Sequence, residues 1–338
     1  MIRQTIEALV NERRDLSEEE AAGAMQAIFT GEATPSQLAA FLIALRLKGE
    51  TVDEITGMAR VMRQHALHVE VDGPLLDTCG TGGDGSGTFN ISTAAAFVAT
   101  GAGARVAKHG NRAMSSGCGS ADVLEALGAK IDLGPEQVAQ CIQKTGFGFM
   151  FAQAFHPAMK YAGPTRKEIG VRTVFNILGP LTNPAGAQSQ LLGVGRPEIA
   201  PLMAGALERL GSRHVLVVHS QDGCDELTLD GHCHVTEMTG GASREYTLDG
   251  ADLGLPHART SAIKGGTAEQ NAAILIAVLS GETGPYRDVV LFNAAAALVA
   301  ADIAKEPKEG LARAVESIDS GAAKKRLDAF VELSSSFT

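Results

Sequence analysis

The stretch that decides the fold is Asp77-Thr78-Cys79-Gly80-Thr81-Gly82-Gly83-Asp84-Gly85-Ser86-Gly87-Thr88-Phe89-Asn90-Ile91-Ser92-Thr93. The apolar residues just before it predict a short buried strand, and the alanine-rich run that begins at Thr93 predicts a helix. Glycines let backbone N–H groups approach a ligand closely, and a helix start adds unpaired donors and partial positive charge. The stretch therefore predicts a phosphate-binding loop between a strand and a helix.

The stretch matches two other known classes of glycine-rich, nucleotide-binding loop less well. Gly80, Gly82 and Gly85 match the letters G-x-G-x-x-G, but a dinucleotide site requires an acidic residue about 20 residues further on. The next predicted strand ends instead in Lys108-His109, which favours a second phosphate over ribose hydroxyls. No Gly-Lys-Ser/Thr follows, so the nucleotide-triphosphate loop pattern is absent. A connecting loop without a ligand remains the alternative.

Composition limits the class of protein. The chain has 338 residues, which predicts about two domains, and 45% hydrophobic content is ample for a core. A net charge of −10 disfavours a nucleic-acid partner, because such binding needs a basic face. The five cysteines form no C-x-x-C pair and indicate reduced thiols. No run approaches the length of a membrane span, so we expect a cytoplasmic protein.

Residues 1–72 predict helices only. Capping boxes at Ser17, Thr34 and Thr51 mark three helix starts, and a further helix is predicted from Ile2 to Val10. We expect a small helical domain, joined by part of 160–185, which packs on the rest of the protein or on a second subunit.

Residues 73–338 alternate between strand and helix patterns, which predicts an α/β domain with a mostly parallel central sheet flanked by helices. Short antiparallel strands are predicted between residues 225 and 253, and helices at 268–279, 287–301, 307–318 and 322–333. The earlier predicted strands are Leu75–Thr78, Arg105–Ala107, Lys130–Asp132, Phe147–Phe151, Gln188–Val194 and His214–His219.

A second polar cluster follows the next strand and runs from Lys108 to Asp122. It offers two cations and three hydroxyls and leads into a helix capped near Ser120, which suits a second phosphate, although a solvated loop is the alternative. His109 could act as a base, but its position between Lys108 and Gly110 favours a positioning role.

The remaining candidates are two acids and one cation. Asp225-Glu226 follows the strand that ends at His219-Ser220, so it faces the phosphate loops at the carboxyl edge of a sheet. A hard cation such as Mg²⁺, with Ser92 as a further oxygen ligand, would prevent repulsion there; a solvated surface pair is the alternative. Arg166 offers a planar fork for a substrate carboxylate, or else is a surface cation or an ion-pair partner.

Taken in order, these residues resemble the anthranilate phosphoribosyltransferase family, and the resemblance covers nearly the whole chain. The motifs that carry it are Gly80-Thr81-Gly82-Gly83-Asp84, Asn90-Ile91-Ser92-Thr93, Lys108-His109-Gly110-Asn111-Arg112, Arg166-Lys167-Glu168, Arg172-Thr173-Val174-Phe175-Asn176-Ile177-Leu178-Gly179-Pro180-Leu181-Thr182-Asn183-Pro184 and Asp225-Glu226. One departure is visible: relatives commonly have Ser-Ser-Lys-Ser-Gly where this chain has Ser115-Ser116-Gly117-Cys118-Gly119, so one cation is missing.

The resemblance implies transfer of the phosphoribosyl group of phosphoribosyl pyrophosphate to anthranilate, the second step of tryptophan biosynthesis from chorismate. It implies Mg²⁺ at about two ions per subunit, a homodimer formed through the helical part, and association with the amidotransferase of anthranilate synthase. It assigns metal binding to Ser92, Asp225 and Glu226, and anthranilate binding to Gly80, Asn111 and Arg166. The implied donor-binding residues are Gly80, Gly83, Asp84, Thr88, Asn90, Ile91, Ser92, Thr93, Lys108, His109, Gly110, Asn111, Arg112, Ala113, Met114, Ser115, Ser116 and Ser120.

Two other functions stay open at this point. A pyrimidine nucleoside phosphorylase would have a similar fold and glycine loop, but the acid pair and the stretch from Arg172 to Pro184 favour the transferase. A non-catalytic nucleic-acid binder is disfavoured by the net charge and the acid pair. The absence of an evident catalytic dyad is compatible with a transferase, because an aromatic amine is already neutral near pH 7 and positioning supplies much of the rate.

Overall fold

Four helices precede the first strand, and their starts follow the capping residues. A computed structural model describes residues 2–113 and 117–337. The helices are α1 (Ile2–Glu7), α2 (Glu18–Phe29), α3 (Pro35–Lys48) and α4 (Val52–Gln64). The predicted capping boxes at Ser17, Thr34 and Thr51 are all formed, and each is worth about 1 kcal/mol of helix stability. The predicted Ile2–Val10 helix is regular only to Glu7 and continues as a π-helical turn over Ala8–Glu12.

The helical part packs against one face of the sheet that follows. Its core contains Phe41 and Met58 with no exposed surface, together with Phe175 from later in the chain. The same core includes Val215 and Val217 from the sheet. A helical region that is continuous with the sheet core gains burial that four short helices could not provide alone. The exact division of the chain into residues 1–72 and 73–338 stays a prediction.

The fold class predicted from the alternating patterns is confirmed: an α/β part with a seven-stranded, mostly parallel sheet follows the helices. The strand order is β3-β2-β1-β4-β5-β6-β7, with β1 to β5 mutually parallel and β6 and β7 antiparallel. The strands are β1 (Leu76–Gly80), β2 (Val106–Gly110), β3 (Phe147–Phe151), β4 (Ser189–Gly193), β5 (His214–Ser220), β6 (Cys233–Thr239) and β7 (Ala242–Leu248).

Helices cover both faces of this sheet. Leu216 and Val217, adjacent on β5, belong to the two different cores on opposite faces, as the strand period of two requires. The connecting helices are α5 (Ile91–Gly101), α6 (Ser120–Ala126), α7 (Pro135–Thr145), α8 (Ala152–Phe155), α9 (Gly163–Ile169), α10 (Phe175–Leu178) and α11 (Ala200–Arg209).

The four closing helices match the predicted runs, with shifts of one to three residues at some ends. They are α12 (Ala268–Leu279), α13 (Pro285–Ala300), α14 (Pro307–Asp319) and α15 (Ala322–Ser336). Within α13 every residue from Val289 to Ala300 is buried, because this helix packs on the sheet and on α5. Among the residues that the structure describes, no helix combines the length and apolarity needed to cross a membrane.

The predicted strand at Lys130–Asp132 is wrong. The segment is an irregular connection between α6 and α7. Its apolar neighbours Ile131 and Leu133 are buried, which produced the strand-like alternation. The Lys130 N–H donates to Ser334 Oγ at 3.3 Å and its Nζ donates to the Phe337 carbonyl at 3.0 Å. The backbone and side-chain donors of Lys130 are therefore directed to the C-terminal segment.

Candidate active site

The predicted site residues gather at the carboxyl edge of the parallel strands, where ligands bind in open α/β sheets. The glycine loop leaves β1, and the acid pair follows β5. The cluster that starts at Lys108 was predicted to follow a strand, but β2 extends to Gly110, so the cluster begins within β2 and continues past its end. Glycines at the ends of β1 and β4 leave room for the loop that carries Asp225. A Cβ on Gly80 would collide with the Asp225 carboxylate, and a Cβ on Gly193 would collide with the Asp225 backbone. The Asp225 loop can therefore lie directly over the ends of β1 and β4.

The backbone of the glycine loop adopts conformations that favour glycine over other residues. Gly82 and Gly83 have φ of +68° and +69°, in the left-handed region that other residues rarely adopt. The Gly82 N–H donates to Asp225 Oδ2 at 2.6 Å. Asp84 accepts the Ser86 N–H at 3.0 Å through Oδ1 and the Asp225 N–H at 3.2 Å through Oδ2. The acid loop and the glycine loop are thus joined by hydrogen bonds in both directions.

Two acids and a thiol converge beside this loop, and a third acid, Glu226, follows Asp225 in the chain. One ligand atom each of Asp84, Cys224 and Asp225 lie within 4.8 Å of one another, and Glu226 Oε1 accepts the Ser92 N–H at 3.2 Å. Burial, reinforced by the charge of Asp84, raises the pKa of Asp225 to about 7. Burial and the neighbouring Asp225 charge likewise raise the pKa of Glu226. Carboxylates held together at this energetic cost fit a hard divalent cation, which binds oxygen ligands and favours the ionised form.

Lys108 and Asp77 form a buried layer beneath the loops. Lys108 Nζ donates to the Thr78 carbonyl and, at 3.2 Å, to Ser92 Oγ. Its side chain therefore holds the start of α5 against β1. Burial raises the pKa of Asp77 to about 6 although Lys108 partly offsets it. Asp77 accepts hydrogen bonds from Asn183 Nδ2 at 2.7 Å and from the His109 N–H at 3.3 Å, so it contacts the C-terminal end of β2.

His109 belongs to a buried histidine pair. Its Nε2 lies 3.2 Å from Nε2 of His156, which the sequence did not single out. Burial, with a smaller contribution from the charge of His156, lowers the pKa of His109 to about 3, and burial lowers that of His156 to about 4. Both rings are neutral at pH 7, so one Nε2 donates and the other accepts. A base with such a low pKa is weak at neutral pH, which favours positioning over proton transfer for His109.

This pair predicts an acid-dependent loss of stability. Below pH 6.5 an unfolded histidine binds a proton that folded His156 excludes until about pH 4, so folding stability falls as pH falls through this window. A His156→Gln variant keeps a hydrogen-bonding partner for His109 but does not titrate. We expect the stability advantage of the natural chain over this variant to shrink by about 1.4 kcal/mol per pH unit between pH 6 and 4, measured by urea unfolding. The exposed His232→Gln variant is the control, and equal slopes for all three proteins would contradict the account.

A cavity of about 1070 Å³ opens between the sheet edge and the helical part. All three predicted anthranilate-binding residues line it: Gly80, Asn111 and Arg166. The half-buried Arg166 guanidinium lies 4.8 Å from the centre of the Phe175 ring. Burial lowers the pKa of Arg166, and within the described ranges it forms no ion pair. A planar cation without an acidic partner in a cavity is suited to binding a carboxylate.

The other residues predicted to bind phosphoribosyl pyrophosphate differ in their contacts and burial. Asn90 Nδ2 donates to the Cys118 carbonyl at 3.2 Å, and Ser120 Oγ donates to the Asn111 carbonyl at 3.3 Å. Arg112 pairs with Asp122 and Glu125 on the surface. Thr88, Ile91, Thr93, Gly110 and Ala113 flank the same two loops, with Ile91 and Thr93 buried. Met114, Ser115 and Ser116 lie outside the described residues.

Comparison with known proteins agrees with a helical part followed by an α/β part. Residues 72–324 match the model of the glycosyl transferase family a/b domain, and residues 3–66 match the model of the helical bundle domain of the same family. The chain belongs to this glycosyl transferase family.

Its relatives share a narrower name, and their identity and coverage show that the chain belongs to the anthranilate phosphoribosyltransferase family, as the sequence resemblance predicted. The chain is 60% identical to anthranilate phosphoribosyltransferase of Roseiflexus castenholzii over 95% of both chains. It resembles the crystal structure of anthranilate phosphoribosyltransferase from Thermus thermophilus, at 48% identity, a TM-score of 0.92 and 98% coverage of both chains. The Saccharomyces cerevisiae enzyme in complex with PRPP and Mg is 30% identical, with a TM-score of 0.92 and coverage of 99% of this chain and 98% of that one.

Proposed function

We propose that this chain transfers the phosphoribosyl group of phosphoribosyl pyrophosphate to the amine of anthranilate. The products are N-(5-phosphoribosyl)anthranilate and pyrophosphate, in the second step of tryptophan biosynthesis from chorismate. The observation that carries this proposal is the cavity that joins an acid-lined glycine loop to the Arg166 guanidinium, which has no ion-pair partner among the described residues. The names of relatives that match almost the full chain support the same reaction.

The donor occupies the glycine loop and the neighbouring Lys108 cluster in this proposal. Asp84, Asp225 and Glu226, with Ser92, would hold Mg²⁺, at about two ions per subunit. The chemistry that Mg²⁺ would supply at these residues is neutralisation of charge on the leaving pyrophosphate. The loop N–H groups and the start of α5 provide further donors for that charge. The bond from ribose C1 to the pyrophosphate oxygen breaks, and its electron pair leaves with the pyrophosphate.

The acceptor occupies the other end of the cavity. Arg166 binds its carboxylate, while Asn111 and Gly80 contact it beside the ribose. The amine nitrogen forms the new bond to ribose C1 and then releases one proton. An N-alkylated aromatic ammonium is acidic, so water can accept this proton. The neutral His109–His156 pair serves to position the aromatic ring of anthranilate. The residues thus act through orientation and electrostatics.

The acceptor assignment can be tested with a substrate panel. Purified protein with phosphoribosyl pyrophosphate and Mg²⁺ is expected to consume anthranilate, and to leave thymidine and uridine intact when phosphate replaces the donor. Phosphorolysis of either nucleoside without turnover of anthranilate would overturn the proposal in favour of a pyrimidine nucleoside phosphorylase. Binding of the donor without turnover of anthranilate would refute the acceptor assignment alone.

We also propose a cytoplasmic homodimer formed through the helical part, which associates with the amidotransferase of anthranilate synthase. The five cysteines are free thiols, which suits a reducing compartment. Leu47 on α3 is 83% exposed and Val10 is 54% exposed, so the helical surface offers apolar side chains to a second copy. The association with the amidotransferase is supported by the family resemblance.

The homodimer proposal predicts a strong effect of charge at Leu47. A Leu47→Glu substitution places a carboxylate in the proposed interface, and we expect the dissociation constant of the dimer to rise at least about tenfold, since burying an unpaired charge is costly. Light scattering after size-exclusion chromatography measures this. Ile276→Glu, which alters an exposed apolar residue on α12, is the control. A monomeric natural chain, or equal dimerisation of both variants, would contradict the proposal.

A further inference from the structure

Arg172 lies between α9 and α10 and contacts the glycine loop from the side of the helical part. Its Nη1 donates to the Gly83 carbonyl at 2.9 Å and its Nη2 donates to the Gly82 carbonyl at 2.8 Å. A Cβ on Gly83 would collide with Nη1. The planar fork of a guanidinium matches two successive carbonyls, so this contact specifies one conformation of the loop.

The backbone of Gly82 is held by Asp225 as well as by Arg172. The Gly82 N–H donates to Asp225 Oδ2 at 2.6 Å, while the Gly82 carbonyl accepts from Arg172. Two consecutive glycines have little conformational preference of their own, and both are in the left-handed region here. The geometry of the loop is therefore imposed by two charged side chains that are distant in sequence.

The neighbours of Arg172 fix its position. Val174 and Phe175 are buried in the core that the helical part shares with the sheet. Arg172 itself is exposed, and it lines a small cavity of about 190 Å³ with Arg46 and Arg196. Arg172 thus connects the helical core to the glycine loop, although its side chain contributes little to either core.

We propose that Arg172 is a positioning residue that holds Gly82 and Gly83 in the conformation that binds the pyrophosphate of the donor. The proposal deepens the proposed function and rests on it for the identity of the ligand. It predicts that loss of the guanidinium loosens the loop before any ligand binds. It also predicts weaker use of the donor, with little change in the use of the acceptor.

Two measurements test this in the full-length protein. In selectively ¹⁵N-glycine-labelled Arg172→Ala protein without ligands, we expect hydrogen exchange of the Gly82 amide to be at least about tenfold faster, because the loop leaves its bonded conformation more often. In steady-state kinetics we expect the KM for phosphoribosyl pyrophosphate to rise about 10- to 100-fold, equivalent to roughly 1.4–2.7 kcal/mol, with the KM for anthranilate within about twofold. An Arg172→Lys variant, which keeps the charge without the fork, is expected to recover only part of the loss.

Arg196→Ala is the matched control, because Arg196 lines the same small cavity and its ion-pair partner is Glu198, outside the loop. It should match the natural chain in both measurements. Unchanged Gly82 exchange in Arg172→Ala, or an equal rise in both KM values, would overturn the positioning role. The exchange experiment needs no substrate, so it decides the role of Arg172 even if the proposed reaction fails.

Discussion

Replacing Asp225 by Asn together with Glu226 by Gln is expected to lower turnover about 10³-fold at Mg²⁺ concentrations that saturate the natural protein. The change keeps side-chain volume but removes two charged oxygen ligands from the proposed metal site, and metal stabilisation of a leaving phosphate is worth several kcal/mol. The measurement is a Mg²⁺ titration of turnover, with Asp252→Asn, an exposed acid, as the control. An unaltered titration would refute the metal-binding role.

Stability should respond differently from activity in this double variant. Burial raises the pKa of both acids, so we expect their ionised forms to be disfavoured in the folded chain without metal. The neutral variant should therefore be at least as stable as the natural chain at pH 8 without Mg²⁺. A loss of more than about 2 kcal/mol in the free energy of unfolding would mean that the substitution damages the fold.

The raised pKa values also predict how metal affinity depends on pH. A carboxyl group must lose its proton before it binds a cation, and that of Asp225 does so near pH 7. We expect apparent Mg²⁺ affinity to increase as pH rises from 6 to 8, accompanied by proton release that calorimetry can detect in buffers of different ionisation enthalpy. The double variant should release no protons.

Replacing Arg166 by Ala is expected to raise the KM for anthranilate about 10- to 150-fold, with the KM for phosphoribosyl pyrophosphate within about twofold. The variant loses a charge-assisted contact worth roughly 1.5–3 kcal/mol. Folding stability should change little, because Arg166 has no ion pair within the described residues and its burial is itself unfavourable. Steady-state kinetics with each substrate varied in turn measures the two KM values.

A comparison of acceptors separates carboxylate binding from general damage. With 2-aminobenzamide, which lacks the carboxylate charge, the natural chain and Arg166→Ala should perform alike. Arg166→Lys keeps the charge without the planar fork and should be intermediate with anthranilate. Equal losses for donor and acceptor, or the same loss with the amide, would contradict the assignment of Arg166.

Local patterns predicted the elements and the sheet edge where the site lies. Capping boxes located the starts of three helices, because the cap is formed by residues three apart in sequence. The strand predicted at Lys130 was wrong because burial alternates there, while the N–H of Lys130 bonds to a side chain of α15. Hydrophobic alternation reports burial and cannot identify the hydrogen-bond partner that makes a strand.

The parts of the site that the sequence did not reveal depend on contacts between distant residues. His156 follows β3, and no spacing in the sequence links its ring to His109. Asp84 was assigned to the donor, and its proximity to Asp225 appears only when β1 and β5 are folded into one sheet. Arg172 begins a motif that the sequence identified, but only the folded chain brings its guanidinium to the carbonyls of Gly82 and Gly83.

We propose that the acid-lined loop and the Arg166 cavity together carry out metal-dependent phosphoribosyl transfer. The most direct test follows anthranilate consumption and pyrophosphate release simultaneously, with Mg²⁺ and then with a chelator added. We expect one pyrophosphate to be released per anthranilate consumed, and both signals to be lost with the chelator. Pyrophosphate release without anthranilate consumption, or turnover that is unaffected by the chelator, would contradict it.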